Sequence, residues 1–152
     1  MTLTQKETTL LTDLKEQEKL CYQKYSNYAE SAKSPELKSL FKEIATVEGE
    51  HYNTVNQLLE GTVPNIAQGQ NSQQACTWCA QVSYKSEQDK KHDEFLCKDM
   101  LAMEKHVSGL YDTSVFEFND TQARNVLNHI QTEEQEHGDK LYKYMSANGM
   151  YN

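Results

Sequence analysis

Glycine and proline are scarce in this chain, with six Gly and two Pro in 152 residues. A fold built on many tight turns needs both, so β-sandwiches and barrels are disfavoured and long regular elements are expected. No apolar run approaches the ~20 residues that cross a bilayer, and the mean hydropathy is −0.84, so no membrane partner is expected. Basic residues are in deficit, 15 Lys plus Arg against 23 Asp plus Glu, leaving −8 at pH 7. That sign repels phosphate backbones and argues against nucleic acid as a partner. Residues Met1 to Glu7 hold no apolar segment of the signal-peptide kind, so synthesis in the cytoplasm without such a leader is expected. At 17.5 kDa, residues 1–152 read as a single domain.

A second C-x-x-C is also missing. Cys76-Thr77-Trp78-Cys79 stands alone, whereas a structural zinc or rubredoxin-type iron site needs two such pairs. In a chain without an export signal, all four cysteines are expected to be reduced. Cys21 and Cys97 fall within helical pattern and read as core thiols.

What is present is helix punctuation. Thr4 with Glu7 forms a capping box, and Ser34-Pro35 is an N-cap followed by an N1 proline. Gly61 and Pro64 stop the second helix. Asn119 with Gln122 is expected to cap the fourth, which ends before Gly149. Helices are therefore predicted over about 5–31, 35–60, 86–118 and 121–147, each near 40 Å long at ~1.5 Å per residue. Residues 61–85 form the connection between the second and third, and the Gln/Asn/Gly/Ser-rich stretch 65–74 within it reads as loop. Short, long and short connections make two antiparallel hairpins joined by one long crossover, an all-α four-helix bundle.

The hairpins repeat. Ile44-Ala45-Thr46-Val47-Glu48-Gly49-Glu50-His51 returns 86 residues later as Ile130-Gln131-Thr132-Glu133-Glu134-Gln135-Glu136-His137. The same shift carries Glu18-Lys19 onto Glu104-Lys105, and Tyr25 onto Tyr111. One offset aligning separated segments marks two copies of a hairpin, packed about a pseudo-two-fold axis.

Each helix carries an apolar row broken by an acid. The rows are Leu11, Leu14, Glu18, Cys21, Tyr25, Tyr28, Ala32; then Leu37, Phe41, Ile44, Glu48, His51, Val55, Leu58. The second hairpin gives Cys97, Met100, Glu104, Val107, Tyr111, Ser114, Phe118; then Ala123, Leu127, Ile130, Glu134, His137, Leu141, Tyr144. Four carboxylates buried together are costly without protons, a hydrogen-bond network or cations. Two divalent ions would balance four Glu. One Glu from each of two helices plus Glu-x-x-His from each of the others is the two-metal carboxylate pattern. Glu and His three residues apart share a helix face. Glu18, Glu48, His51, Glu104, Glu134 and His137 are therefore the candidate ligands, for iron or manganese, with zinc also compatible. A single ion, or a polar layer without metal, are the alternatives. Around them, Tyr25 and Tyr111 are candidates to hydrogen-bond a ligand, and Glu133 to orient the opposite imidazole. Val47 occupies the mate position of Glu133, so that support is one-sided. His92, His106 and His129 lie off the ligand rows and read as solvent-facing.

At these residues the chain resembles the ferritin-like superfamily of rubrerythrins, bacterioferritins and manganese catalases, over all four helices. The six ligands match the bacterioferritin type position by position, and the resemblance implies that Glu48 and Glu134 bridge the ions. Val107 stands where rubrerythrins carry a further Glu, and a single C-x-x-C builds no rubredoxin domain. The chain also resembles the coat F type of spore coat protein in Leu14-Lys15-Glu16-Gln17-Glu18, Tyr111-Asp112-Thr113, Asn128-His129-Ile130 and Tyr144-Met145-Ser146-Ala147-Asn148-Gly149-Met150-Tyr151. That resemblance implies deposition in the endospore coat, with other coat proteins or further copies as partners. Two functions are thus expected to compete: an oxidoreductase acting on peroxide or dioxygen, and a structural coat component. Iron storage would require a cage; the short C-terminal helix of cage-forming ferritins is not read in this sequence, so storage is not expected.

Overall fold

Four capping side chains set the helix starts in the computed structural model, which describes residues 1–66, 76 and 78–151. Thr4, Ser34, Ser86 and Asp120 accept hydrogen bonds from the backbone N–H groups of Glu7, Leu37, Asp89 and Ala123 respectively. The helices they open are α1 (Gln5–Ser31), α2 (Pro35–Leu59), α3 (Glu87–Glu117) and α4 (Thr121–Ala147). Asp120, rather than Asn119, caps α4: its Oδ1 accepts from Ala123 N–H at 2.9 Å, while Asn119 N–H donates to Glu7 Oε1 at 3.1 Å. Gly61 ends α2 at φ +81°, and a Cβ there would lie 2.8 Å from the Met1 carbonyl oxygen. The Met1 ammonium donates to Gly61 O at 2.7 Å and so ties the start of α1 to the end of α2. The loop expected over 65–74 lies, from residue 67 onward, outside the described residues.

Cross-helix bonds give the directions. Ser31 meets His92, Tyr25 meets Glu104, Tyr111 meets Glu18 and Glu7 meets Asn119, so α1 and α3 run antiparallel. Ser34 with Tyr144, Glu43 with Lys140 and His51 with Glu133 make α2 and α4 antiparallel. With α1 and α2 also antiparallel, α2 and α3 point the same way. The connection between them must therefore travel the length of the bundle, as the expected crossover requires. Its last part is pinned at the far end, where Val82 N–H donates to Asn148 Oδ1 at 2.8 Å. Tyr84 hydroxyl there meets Tyr144 at 2.6 Å and Asp93 at 3.0 Å.

The pseudo-two-fold shows in the bonds as well as the sequence. Lys33 N–H donates to Asp93 Oδ1 at 2.7 Å, and its mate 86 residues on, Asn119, donates to Glu7, the mate of Asp93. Each hairpin thus supplies a buried acid to the turn of the other, and burial of Asp93 is complete. Every predicted row residue is buried except Tyr28, which is half-buried with its hydroxyl on Asp99 at 2.6 Å. Leu40, Ala45, Leu96, Val126 and Met145 widen the apolar faces beyond those rows. Two apolar clusters result. One holds Tyr25, Phe41, Met100 and Leu141, the other Leu14, Val55, Val107 and Leu127. The four acids and two histidines of the rows lie between them, at mid-bundle. No helix among the described residues is long and apolar enough to cross a membrane.

Candidate metal centre

Glu18 and Glu104 sit one heptad before Tyr25 and Tyr111 on α1 and α3, while Glu48/His51 and Glu134/His137 occupy successive turns of α2 and α4. Their solvent exposure is 3% or less at all six positions. The side chains converge as two overlapping groups. Glu18, Glu48, His51 and Glu134 form one, and Glu48, Glu104, Glu134 and His137 the other, with the candidate donor atoms of each group within 4.8 Å of one another. Glu48 and Glu134 belong to both.

The donor atoms face one another without hydrogen bonds to absorb them. Glu18 Oε2, Glu48 Oε1, Glu104 Oε2, both oxygens of Glu134 and His137 Nδ1 are buried and unpartnered. His51 Nδ1 stands 3.0 Å from Glu134, 3.3 Å from Glu48 and 3.6 Å from Glu18. One nitrogen offers one lone pair or one proton, so it cannot satisfy three carboxylates. His137 Nδ1 repeats this toward Glu48 at 3.3 Å and Glu104 at 3.6 Å. Hard oxygens and imidazole nitrogens aimed at a common space are a donor set that could hold divalent ions. The residues present fit such a group.

Outer contacts fix the donors. Tyr111 donates its hydroxyl to Glu18 Oε1, and Tyr25 donates to Glu104 Oε1, each across to the other hairpin. Both Tyr hydroxyls are held protonated, well above the ordinary range, by burial and by the adjacent carboxylates. Glu133 Oε2 lies 2.8 Å from His51 Nε2. That contact leaves Nδ1 as the nitrogen facing the carboxylates. The same oxygen is 3.5 Å from His129 Nε2, so His129 is half-buried against Glu133 rather than free in solvent. His92 is likewise half-buried, against Ser31 at 2.9 Å, and only His106 is exposed as expected.

Without ions the site must share protons. Burial pushes Glu18 up to about 7, and raises Glu134 well above the usual carboxylate range with Glu104 adding to it. Burial also works to raise Glu48, but the adjacent imidazoles of His137 and His51, both 3.3 Å away, outweigh it and bring it down to about 2. Burial opposes charging of both imidazoles, yet the carboxylates win: His51 is raised well above its ordinary value and His137 to about 9. Metal binding at this cluster would therefore displace protons.

Cysteine behaves differently from expectation at one place. Cys76 and Cys79 are joined in a disulfide, their Cα atoms 5.5 Å apart, well inside bridging range. Cys21 and Cys97 are free and buried, with thiols raised above the ordinary range by burial and nearby acids. Asp93 is the residue the row pattern missed. It sits four residues before Cys97, and its role depends on a turn in the other hairpin that no local pattern reveals.

Neither a curated protein nor a solved structure matches the chain. The family comparison does find a match, and it covers α3 from His92, α4 and the residues after it, including Glu104, Glu134 and His137. Residues 92–152 match the Coat F domain, so the resemblance to the coat F family of spore coat proteins holds over the second hairpin.

Proposed function

We propose that this is a two-metal protein of the endospore coat, in which Glu18, Glu48, His51, Glu104, Glu134 and His137 hold two divalent ions, iron or manganese, and which reduces or disproportionates peroxide or reacts with dioxygen. The observation that carries this reading is the set of buried, mutually facing donor atoms without hydrogen-bond partners. A polar layer kept only for packing would pair those atoms with one another, because each orphan costs roughly 1–3 kcal/mol. Glu48 and Glu134 would be shared between the two ions, since each belongs to both donor groups. Ions there supply paired redox equivalents and Lewis acidity to a small oxidant. Around them, Tyr25 and Tyr111 hold one oxygen each of Glu104 and Glu18, leaving the other oxygen to point inward. Glu133 holds the His51 tautomer. The apolar clusters on either side keep bulk water out of the layer.

A structural coat role is the second reading, favoured by the Coat F match over the second hairpin. Turnover separates the two. Protein reconstituted with iron or manganese should consume hydrogen peroxide in a manner abolished by Glu134→Ala, whereas a coat scaffold would bind ions without turnover.

A further inference from the structure

We infer that the Cys76–Cys79 pair is a thiol–disulfide exchange site that takes two electrons from a dithiol. Three observations carry this. First, both cysteines are exposed residues, so the bridge lies at the surface, where a donor thiolate can approach it. Second, the bridge spans a sequence separation of only three. Closing so short a loop removes less chain entropy than any longer pairing, so the bond adds little to stability. Exposed bridges of this kind are the exchangeable ones. Third, Trp78, between the two cysteines, is only 9% exposed and packs into the same apolar cluster as Leu96, Tyr144 and Met150. That anchor, with the Val82–Asn148 bond close behind, holds the pair against the end of the bundle. Opening the bridge therefore need not release the segment. The remaining thiols do not compete, since Cys21 and Cys97 are fully buried.

The exchange balances without a metal. A donor thiolate attacks one sulfur of the bridge and forms a mixed disulfide, and the other cysteine leaves as a thiolate and takes up a proton. The donor's second thiol then attacks the mixed disulfide. The donor leaves as an internal disulfide, oxidised by two electrons, and Cys76 and Cys79 remain as two thiols. This inference goes beyond the metal reading and stands whether or not ions bind.

Trp78 is the single tryptophan, so its emission reports on the adjacent pair. The full chain is titrated with mixtures of reduced and oxidised dithiothreitol, reading Trp78 emission, helicity, and alkylated thiols by mass. The expected result is one reversible two-electron transition, two thiols gained, and helicity unchanged. The pair should become alkylatable at least tenfold faster than Cys21 and Cys97, whose rate is read in a Cys76→Ser/Cys79→Ser double variant. Reduction that occurs only as the helices unfold would overturn the proposal, as would thiols that oxidised dithiothreitol fails to re-pair. Single variants Cys76→Ser and Cys79→Ser should each form a mixed disulfide with oxidised glutathione in the native state. Failure of both to do so would also overturn it.

Discussion

Replacing Glu134 by methionine should stabilise the metal-free protein and remove its response to metal. Both Glu134 oxygens are buried and unpartnered, and the carboxyl is pushed well above its ordinary range by burial and by Glu104. In the absence of ions its close counter-charge is His51 Nδ1 at 3.0 Å, which Glu48 and Glu18 share, so its net effect is a cost, either as a poorly solvated charge or as a proton taken up to avoid one. Methionine has a similar length and fills irregular space without polar atoms. Exchanging a whole buried ion pair or triad for apolar groups commonly gains about 1–4 kcal/mol. Here one of four carboxylates facing two imidazoles is removed, which lowers the excess negative charge without stranding a cation, so a gain in the lower part of that range is expected. At ~2–4 °C per kcal/mol for a chain of this size, the melting temperature in chelator should rise by several degrees. Manganese or ferrous iron at one hundred times its dissociation constant should stabilise the wild type by about 2.7 kcal/mol for each ion bound, and the variant hardly at all. Thermal unfolding followed by circular dichroism, with and without chelator, reads both effects. A variant that is less stable than wild type in chelator would refute the reasoning, because Glu134 would then be a packing element.

Three further perturbations follow from the geometry. Glu133→Ala should weaken binding of the ion nearest His51 about 10–100-fold and leave the other unchanged, since Val47 stands at the mate position; calorimetric titration should resolve two unequal sites. Glu7 is held below the usual carboxylate range: burial works to raise it, but hydrogen bonds from Thr4 and Asn119 N–H outweigh that. Its contribution is therefore present above the unfolded value near 4.5 and is lost as pH falls through the lower folded value. Urea unfolding should show Glu7→Gln weaker than wild type by roughly 1–2 kcal/mol at pH 7, with the gap closing toward pH 3. Gly61→Ala should cost more than ~1 kcal/mol in the same assay, since it forces φ +81° on a residue whose Cβ meets the Met1 carbonyl.

Much of the fold is legible because helices announce themselves locally. Ser34-Pro35 and Thr4 with Glu7 mark starts that the structure uses as caps, and the 3–4 spacing of Leu37, Phe41, Ile44 and Val55 names the buried face of α2. The convergence of six polar row residues is legible for a different reason: an acid at an apolar position, repeated at one offset, leaves few places to go. What local pattern does not contain is pairing between elements distant in sequence. The partners of Tyr25 and Tyr111 follow from the antiparallel placement of α1 and α3, and the bond from Asn119 to Glu7 from contact between a turn and the far hairpin. Asp93 looks like one more surface acid in a charged stretch until Lys33 and Ser34 N–H point at it, at 2.7 and 2.9 Å. The cysteine pairing is not legible from compartment, a property of surroundings rather than of the 5.5 Å Cα separation that permits the bond.

Metal content of the purified, untagged chain, measured by mass spectrometry beside Glu48→Ala and Glu134→Ala, tests the two-ion reading most directly. The two substitutions remove the carboxylates shared by both donor groups. About two iron or manganese ions per chain in the wild type, lost from both variants, is the predicted result. A wild-type chain that binds neither ion after anaerobic reconstitution would contradict it, and the buried cluster would then be a proton-sharing polar layer in a coat scaffold.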